Sequence, residues 1–438
     1  MASTSLTRTV SSTGNTFKGT LSAWIKRSDI STEQYIFENY ETSGNRFFVR
    51  FLSTGQLGME TLQGSSTVMQ INTLNMFRDT SAWYHIVVGI DSTLATASDR
   101  VKVYINGVQQ TSYNDETQPP QNQNMSINEG NPTYVTVGRK YGASNYFDGS
   151  MSHLHWIDGT QYAASDFGST DSSTGQWSIN ASPSVTYGTN GFFVLKDGNG
   201  VTDQSGQSNN LAVAGGTLTN LQDNPSNVFA TWNALKKLTV TLSNANTTTS
   251  GNGDNGVWGT IGDNQGKWYW ETQQNANSVM MGIINEDVTQ TTGRSQSAGA
   301  YGLQSGNGSY AYYRNNGSSG QSSGFPEITN SNVLCHALDL DNGKYYLGID
   351  GVFKNLSGTT SNLGTGADPT FTGLDTTKFW FPFTESRGTG VGCDVNFGNG
   401  YFGTTAISSA GTNASNLGIF EYDVPAGYTA WCTKGLNE

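Results

Sequence analysis

Acidic side chains two residues apart are where catalysis would first show. Alternate positions of a strand share a face and can aim two carboxylates into one cleft. The chain has two such pairs, Asp339-Leu-Asp341 and Glu421-Tyr-Asp423. Neither extends to a Glu-x-Asp-x-Glu triplet, which would set acid and nucleophile about 5.5 Å apart. The first pair sits at an expected hairpin turn, where Asp organises the backbone. The second precedes Pro425 and reads as a solvated edge. His153 and His155 share a strand face, since i and i+2 point together, but no Cys or third His lies near them to complete a zinc set. His85 and His336 fall within strand runs and read as core or sheet-face residues. No G-x-S-x-G elbow, Walker loop or G-x-G-x-x-G before a helix is present. The residues therefore point away from an enzyme.

Binding is the other chemistry that side chains on a rigid scaffold can do. Tyr310, Tyr312 and Tyr313 stand beside Arg314 and Asn315. Aromatic rings stack on sugar rings, and Arg or Asn hydrogen-bond hydroxyls. Alternation puts Tyr310 and Tyr312 on one face, which is either a ligand surface or core. Trp258, in the run GNGDNGVWG, is a similar candidate.

The elements that must carry these residues are strands. In Trp83–Val108 two runs, His85–Ile90 and Val101–Asn106, are expected, with Asn106-Gly107 supplying the positive φ of a tight turn. Val101, Val103 and Ile105 fall on one face, and Lys102, Tyr104 and Asn106 on the other, predicting one buried and one wet face. Leu6–Val10, Thr20–Lys26, Phe47–Leu52 and Leu57–Leu62 are further strands, and the polar stretch 113–132 is expected as a long functional or mobile loop. Turn dipeptides such as Asp148-Gly149, Asn342-Gly343 and Asp350-Gly351 recur between short β-branched and aromatic runs. The fold class that follows is all-β, two β-sandwich domains.

The chain has 438 residues, 54 of them Gly, and only 13% are charged. Its net charge is −12. Residues 1–225 hold 12 basic and 18 acidic side chains, the remainder 10 and 16, so each half carries −6. With no basic patch, nucleic-acid binding is disfavoured. No apolar run approaches the length of a membrane span, and the start MASTSLTRTV lacks the apolar core of a signal peptide, so no membrane insertion and cytoplasmic folding are expected. Cys335, Cys393 and Cys432 are too few for a disulfide framework. Cys393 alternates with Val391, Val395 and Phe397 and is expected reduced in a core.

Trp83-Tyr-His with the V-Y-I-N-G run, and YVTVGRKYGASNYFDG (134–149), resemble a laminin-G/concanavalin A-like jelly roll. GKWYWET (266–272), NVLCHALDLDNGKYYLGIDGVF (332–353) and the 379–402 run ending in VNFGNGYF resemble the SPRY family. The order SDFG, YGTNGF, DQSGQSNN and NPSNVFATWNAL is similar to bacteriophage virion structural proteins of marine origin that join the two modules. The resemblance implies a jelly roll over 1–200, a connector over 201–227 and a SPRY-like sandwich over 228–438. It implies a virion protein, either a fibre-type adhesin for host surface glycan or receptor, or a capsid or tail decoration protein docking on other virion proteins. A homo-oligomer, such as a trimer, is a family-level expectation, and polysaccharide depolymerase activity is the remaining alternative. It also implies Ca2+ at a sandwich rim, held by oxygen ligands. Asp91, Asp99, Asp148 and Asp203 are the loop or turn carboxylates that could contribute, although no ligand spacing singles them out and turn Asp residues capping backbone N–H groups are the favoured reading.

Overall fold

The computed structural model describes residues 4–437, apart from 131, 197, 199, 290, 292, 306–309 and 323. The chain divides into two units, Met1–Asn220 and Leu221–Glu438, and is all-β throughout, with only short helical turns.

In the first unit an eight-stranded sheet runs in the order Tyr113–Thr117, Ser66–Met76, Gln56–Gln63, Asn45–Phe51, Gln34–Thr42, Thr133–Val137, Leu6–Val10, Ala212–Val213. A six-stranded sheet runs Phe192–Val194, Gly149–Asp158, Lys18–Arg27, Tyr84–Asp91, Val101–Ile105, Val108–Gln110. Leu21, Ala23 and Ile25 face the sandwich core with Val101, Val103 and Ile105, as alternation predicts. Asn106 and Gly107 do take positive φ (48° and 82°). Their turn, however, joins Val101–Ile105 to the added strand Val108–Gln110, pairing Ile105 with Val108. Tyr84–Asp91 and Val101–Ile105 are connected through the short helix Ala97–Arg100.

Three expectations are corrected here. The second face of the six-stranded sheet is only partly wet: Lys102 and Asn106 reach solvent, but Tyr104 packs against a cluster of Val87, Ile157, Phe167, Tyr187 and Phe193 with Tyr162 and Trp177. The aromatic residues of the irregular stretch 160–190 supply that cover. The 113–132 stretch is anchored rather than loose, because Met125 and Ile127 are fully buried in the core and Asn128 accepts a hydrogen bond from the Trp156 indole at 2.8 Å. The stretch 201–220 belongs to the first unit, where Ala212–Val213 pairs with Leu6–Thr7 and Asp203 ties down its own turn.

In the second unit a seven-stranded sheet runs Trp232–Lys237, Asn255–Gly259, Trp380–Ser386, Val279–Asn285, Ala300–Gln304, Ala311–Asn315, Ser318–Ser322. The facing sheet has the path Val240–Ser243, Thr248–Asn252, Cys393–Asn396, Lys267–Gln274, Leu334–Asp339, Lys344–Ile349, Val352–Lys354. Between them lie Trp232, Trp268, Trp270, Leu338, Tyr345 and Trp431, among others. The outer face of the second sheet is covered in turn by Phe402, Phe420, Val424 and Tyr428, packed on Tyr269, Cys335 and Tyr346. All three cysteines are buried thiols. Asp350-Gly351 forms the expected tight turn, with φ of 50° and 80°.

Gly107 tests the turn and its cover together. A Cβ there would lie 2.4 Å from the Trp177 ring, at positive φ, whereas Gly64 has positive φ and open space around it. Gly64→Ala is expected to cost about 1 kcal/mol and Gly107→Ala roughly 2–4 kcal/mol, since an unfavourable φ and a clash add. Amide hydrogen exchange in Tyr84–Asp91 and Val101–Ile105 measures the difference; equal protection in the two variants would contradict it.

Candidate binding surface

The row Gln304–Tyr312–Gln321 crosses three strands at the edge of the seven-stranded sheet, each residue directly opposite the next. Ala311 and Tyr313 turn inward, Ala311 fully buried in the core and Tyr313 packed against it. Tyr312 and Arg314 therefore face outward, half-exposed. Tyr310 joins them, its ring edge-to-face on Tyr312 with centroids 5.3 Å apart. The two hydroxyls share a hydrogen bond, and the Gln321 amide donates to both, at 3.1 and 3.4 Å. The rings are thus fixed relative to each other before any ligand arrives.

Beside them the charges are organised. Glu385 is fully buried, yet it accepts from Arg387 Nη1 at 2.8 Å and from the Ser295 backbone and hydroxyl at 3.0 and 2.5 Å. Arg387 also reaches Asp254 at 3.4 Å. Burial, and then the nearby Arg387, lower the pKa of the Arg314 guanidinium, against the pull of Glu385 and Asp254. Arg314 Nε has no hydrogen-bond partner. The surface offers two aromatic rings and an amide with the half-exposed Arg314 beside them, whose Nε is itself buried and not open to a ligand.

The structure separates the sequence candidates. Tyr310, Tyr312 and Arg314 come together; Tyr313 belongs to the core side of its strand, and Asn315 is half-buried at the Asn316-Gly317 turn. Trp258 is a correction. Its ring is fully buried, edge-to-face on Phe383 at 5.1 Å with the Lys236 ammonium 5.2 Å above it, and no sugar can reach it there. Val288, Met280 and Ile284 close the same cluster. Gln321 and Gln304 were not singled out in the sequence, since SSGQS has no aromatic or charge to mark it.

The calcium candidates do not form a site. Asp91 pairs with Lys18 at 3.0 Å and accepts from Thr93 N and Oγ1, and although burial opposes it, these donors hold its carboxyl below the usual range. Asp99 pairs with Lys102 at 3.1 Å. Asp148 is pushed up by burial and then by Asp29. Both Asp203 oxygens are filled, by Phe193 N and Ser205 N on one and Ser205 Oγ and Asn209 N on the other, all at 2.8 Å. Among the described residues no three His, Cys, Asp or Glu side chains gather as a metal site. Asp91, Asp99 and Asp203 spend their oxygens on lysines, hydroxyls and backbone, and Asp148 belongs to no such group, so the residues do not fit Ca2+.

Three of the paired acids, with His85 and His155, are tied into the fold. Asp339 pairs with Lys267 at 3.0 Å and caps Asn342, Asp341 accepts from Gly266 N at 2.7 Å, and Asp423 accepts from Thr412. The strand holding His153 and His155 is bulged between Ser152 and His155, so its alternation is not regular there. His155 stacks on Phe193 at 3.9 Å and meets Tyr187 Oη at 2.9 Å. His85 stacks on Trp24, accepts the Trp177 indole N–H on Nδ1 at 3.0 Å, and so must donate from Nε2 to Ser22 Oγ at 2.9 Å.

Burial, and secondarily His153, bring the His85 pKa down to about 3 from an ordinary 6.5. The unfolded chain then binds a proton that the folded one refuses, so stability from this site is full above pH 6.5 and is lost as pH falls toward 3. Hydrogen exchange of the Trp177–Ile179 strand is expected to accelerate from pH 6.5 to 4 relative to its intrinsic rate, and a flat ratio would contradict it. The melting temperature at pH 7 is expected to be the same in EDTA and in millimolar calcium; a rise of several degrees with calcium would restore the ion.

The family described as the concanavalin A-like lectin/glucanases superfamily matches residues 2–165. No curated protein matches the chain. Similar solved structures include the TRIM65 PSpry domain (16% identity, 38% of this chain and 91% of that one, TM-score 0.29). The SPRY domain of human HERC1 is 12% identical over 37% of this chain and 96% of that one, TM-score 0.29. A native heptameric SAP-like pentraxin from Limulus polyphemus is 18% identical over 36% and 71%, TM-score 0.26. The fold is all-β sandwich, with concanavalin-like and SPRY-like neighbours.

Proposed function

We propose that this protein is a non-enzymatic recognition protein that engages cell-surface glycan or a receptor through the outer face of the Ala311–Asn315 and Ser318–Ser322 strands. The observation that carries the reading is the outward pair Tyr310 and Tyr312, locked edge-to-face with both hydroxyls on Gln321. A sugar ring lays its C–H face on such rings at little ordering cost, and Arg314 and Gln304 stand beside them for hydroxyls. The finer part of the proposal is placement on a bacteriophage virion as a fibre-type appendage, which rests on the order of the SDFG, YGTNGF, DQSGQSNN and NPSNVFATWNAL motifs.

One observation favours a second reading, a decoration protein docking on other virion proteins or on copies of itself. Leu74, Met76 and Val108 are 55%, 51% and 66% exposed. The Asn75–Gln110 hydrogen bond at 3.0 Å brings their two strand ends together. A sedimentation run on the purified chain separates the cases: a Val108→Asp variant that changes the oligomeric state supports docking.

A glycan array with purified protein tests the first reading. Tyr312→Ala is expected to weaken binding to any positive glycan at least tenfold, the size of a central aromatic anchor, with the melting temperature unchanged because the ring lies outside the core. Equal binding by wild type and variant would sink the assignment.

A further inference from the structure

A second concave site lies in the second unit, apart from the tyrosine surface. A cleft of about 290 Å³ opens between the hairpin Tyr401–Phe402/Thr405–Ala406 and the turn at Glu421–Tyr422, with Gln273 on one wall and Ser331 and Ser408 at its mouth. Its size is at the low end of pockets that hold small ligands.

The walls are built on a buried acid. Glu271 is fully buried beneath the cleft. Its carboxylate accepts from Glu421 N at 2.9 Å, Tyr422 N at 2.8 Å, Tyr269 Oη at 2.9 Å and Asn396 Nδ2 at 3.2 Å. A carboxylate placed in such surroundings is costly unless its oxygens are filled, and half of these donors are the backbone of the two residues that form the cleft wall. Tyr422 is fixed again at its other end. Its hydroxyl hydrogen-bonds Asp350, and its ring lies so close to Gly351 that a Cβ there would come within 2.9 Å. The wall is therefore preorganised, the condition under which a small site holds a ligand without losing its affinity to ordering.

What faces the cleft is unspent. Among the described residues, neither the Glu421 carboxylate nor the Gln273 amide has a side-chain hydrogen-bond partner. We propose that this cleft binds a single neutral sugar residue. The Glu421 oxygens accept from vicinal hydroxyls, Gln273 both donates and accepts, and the half-buried Tyr422 covers the apolar C–H face. An ammonium ligand has donors alone and would leave the Gln273 N–H groups unmatched.

Saturation-transfer NMR on the full chain, with the methyl glycosides of glucose, galactose, mannose and N-acetylglucosamine at millimolar concentration, tests this. At least one glycoside is expected to receive saturation, falling at least fivefold in Glu421→Ala and in Ser408→Trp, which fills the mouth from an exposed position and leaves the core intact. The measurement is made in a Tyr312→Ala background, so that the tyrosine surface adds nothing to the signal and the two sites fail separately. The proposal is overturned if no glycoside is saturated, if the signal survives both cleft variants, or if butylammonium is saturated while the sugars are not.

Discussion

Both units depend on one constraint: a sheet whose two faces are apolar must be covered twice, and the second cover here is irregular chain. A sandwich core satisfies one face of each sheet. In the first unit the outer face of the six-stranded sheet carries Val87, Ile157 and the Trp24–His85 stack, and the 160–190 stretch lays Phe167, Trp177 and Tyr187 over them. In the second unit Tyr269, Cys335 and Tyr346 receive Phe402, Phe420 and Tyr428. Irregular chain brings unpaired backbone donors with it, and these must be met inside. Glu271 does this for the second cover, taking the Glu421 and Tyr422 N–H groups, and Asp203 does the same for its own turn beside the first.

These anchors give the molecule opposed responses to pH. Neutral buried His85 favours the fold above pH 6.5. Glu271 works the other way: burial, partly offset by its donors, brings its pKa up to about 7 from an ordinary 4.5. Its contribution is full below 4.5 and is lost as pH rises through 7. Buried neutral histidines of this kind lie in both units, His85 and His155 in the first and His336 in the second, and the cover on Glu271 adds an alkaline-sensitive element to the second. The covers also decide which aromatic residues stay accessible. With Trp258 and the Glu385 cluster closed over, the half-exposed aromatic pair on the seven-stranded sheet is Tyr310 and Tyr312.

Much of this was legible in the sequence. Alternation placed Val101, Val103 and Ile105 correctly because the sandwich core enforces a period of two, and Asn106-Gly107 and Asp350-Gly351 marked real positive-φ turns. Alternation could not say that the opposite face was also partly buried, since the covering residues lie tens of positions away in stretches with no period. The same blindness put Trp258 on a loop surface and read 113–132 as loose, although Met125 and Ile127 are core residues. The bulge at His153–Leu154 broke the pairing rule locally. Alternation placed Tyr310 and Tyr312 on one face, and their rings do meet there, on and beside the strand next to the sheet edge. Glu271 was not, because its partners are backbone groups 150 residues on.

Hydroxyl-radical footprinting of the intact chain tests the double-cover account most directly. Tyr310 and Tyr312 are expected to oxidise rapidly while Trp258, Trp431 and Tyr187 stay protected until the chain unfolds. Oxidation of Trp258 and Tyr187 at the rate of Tyr312 would mean that the outer faces are open, and would contradict it.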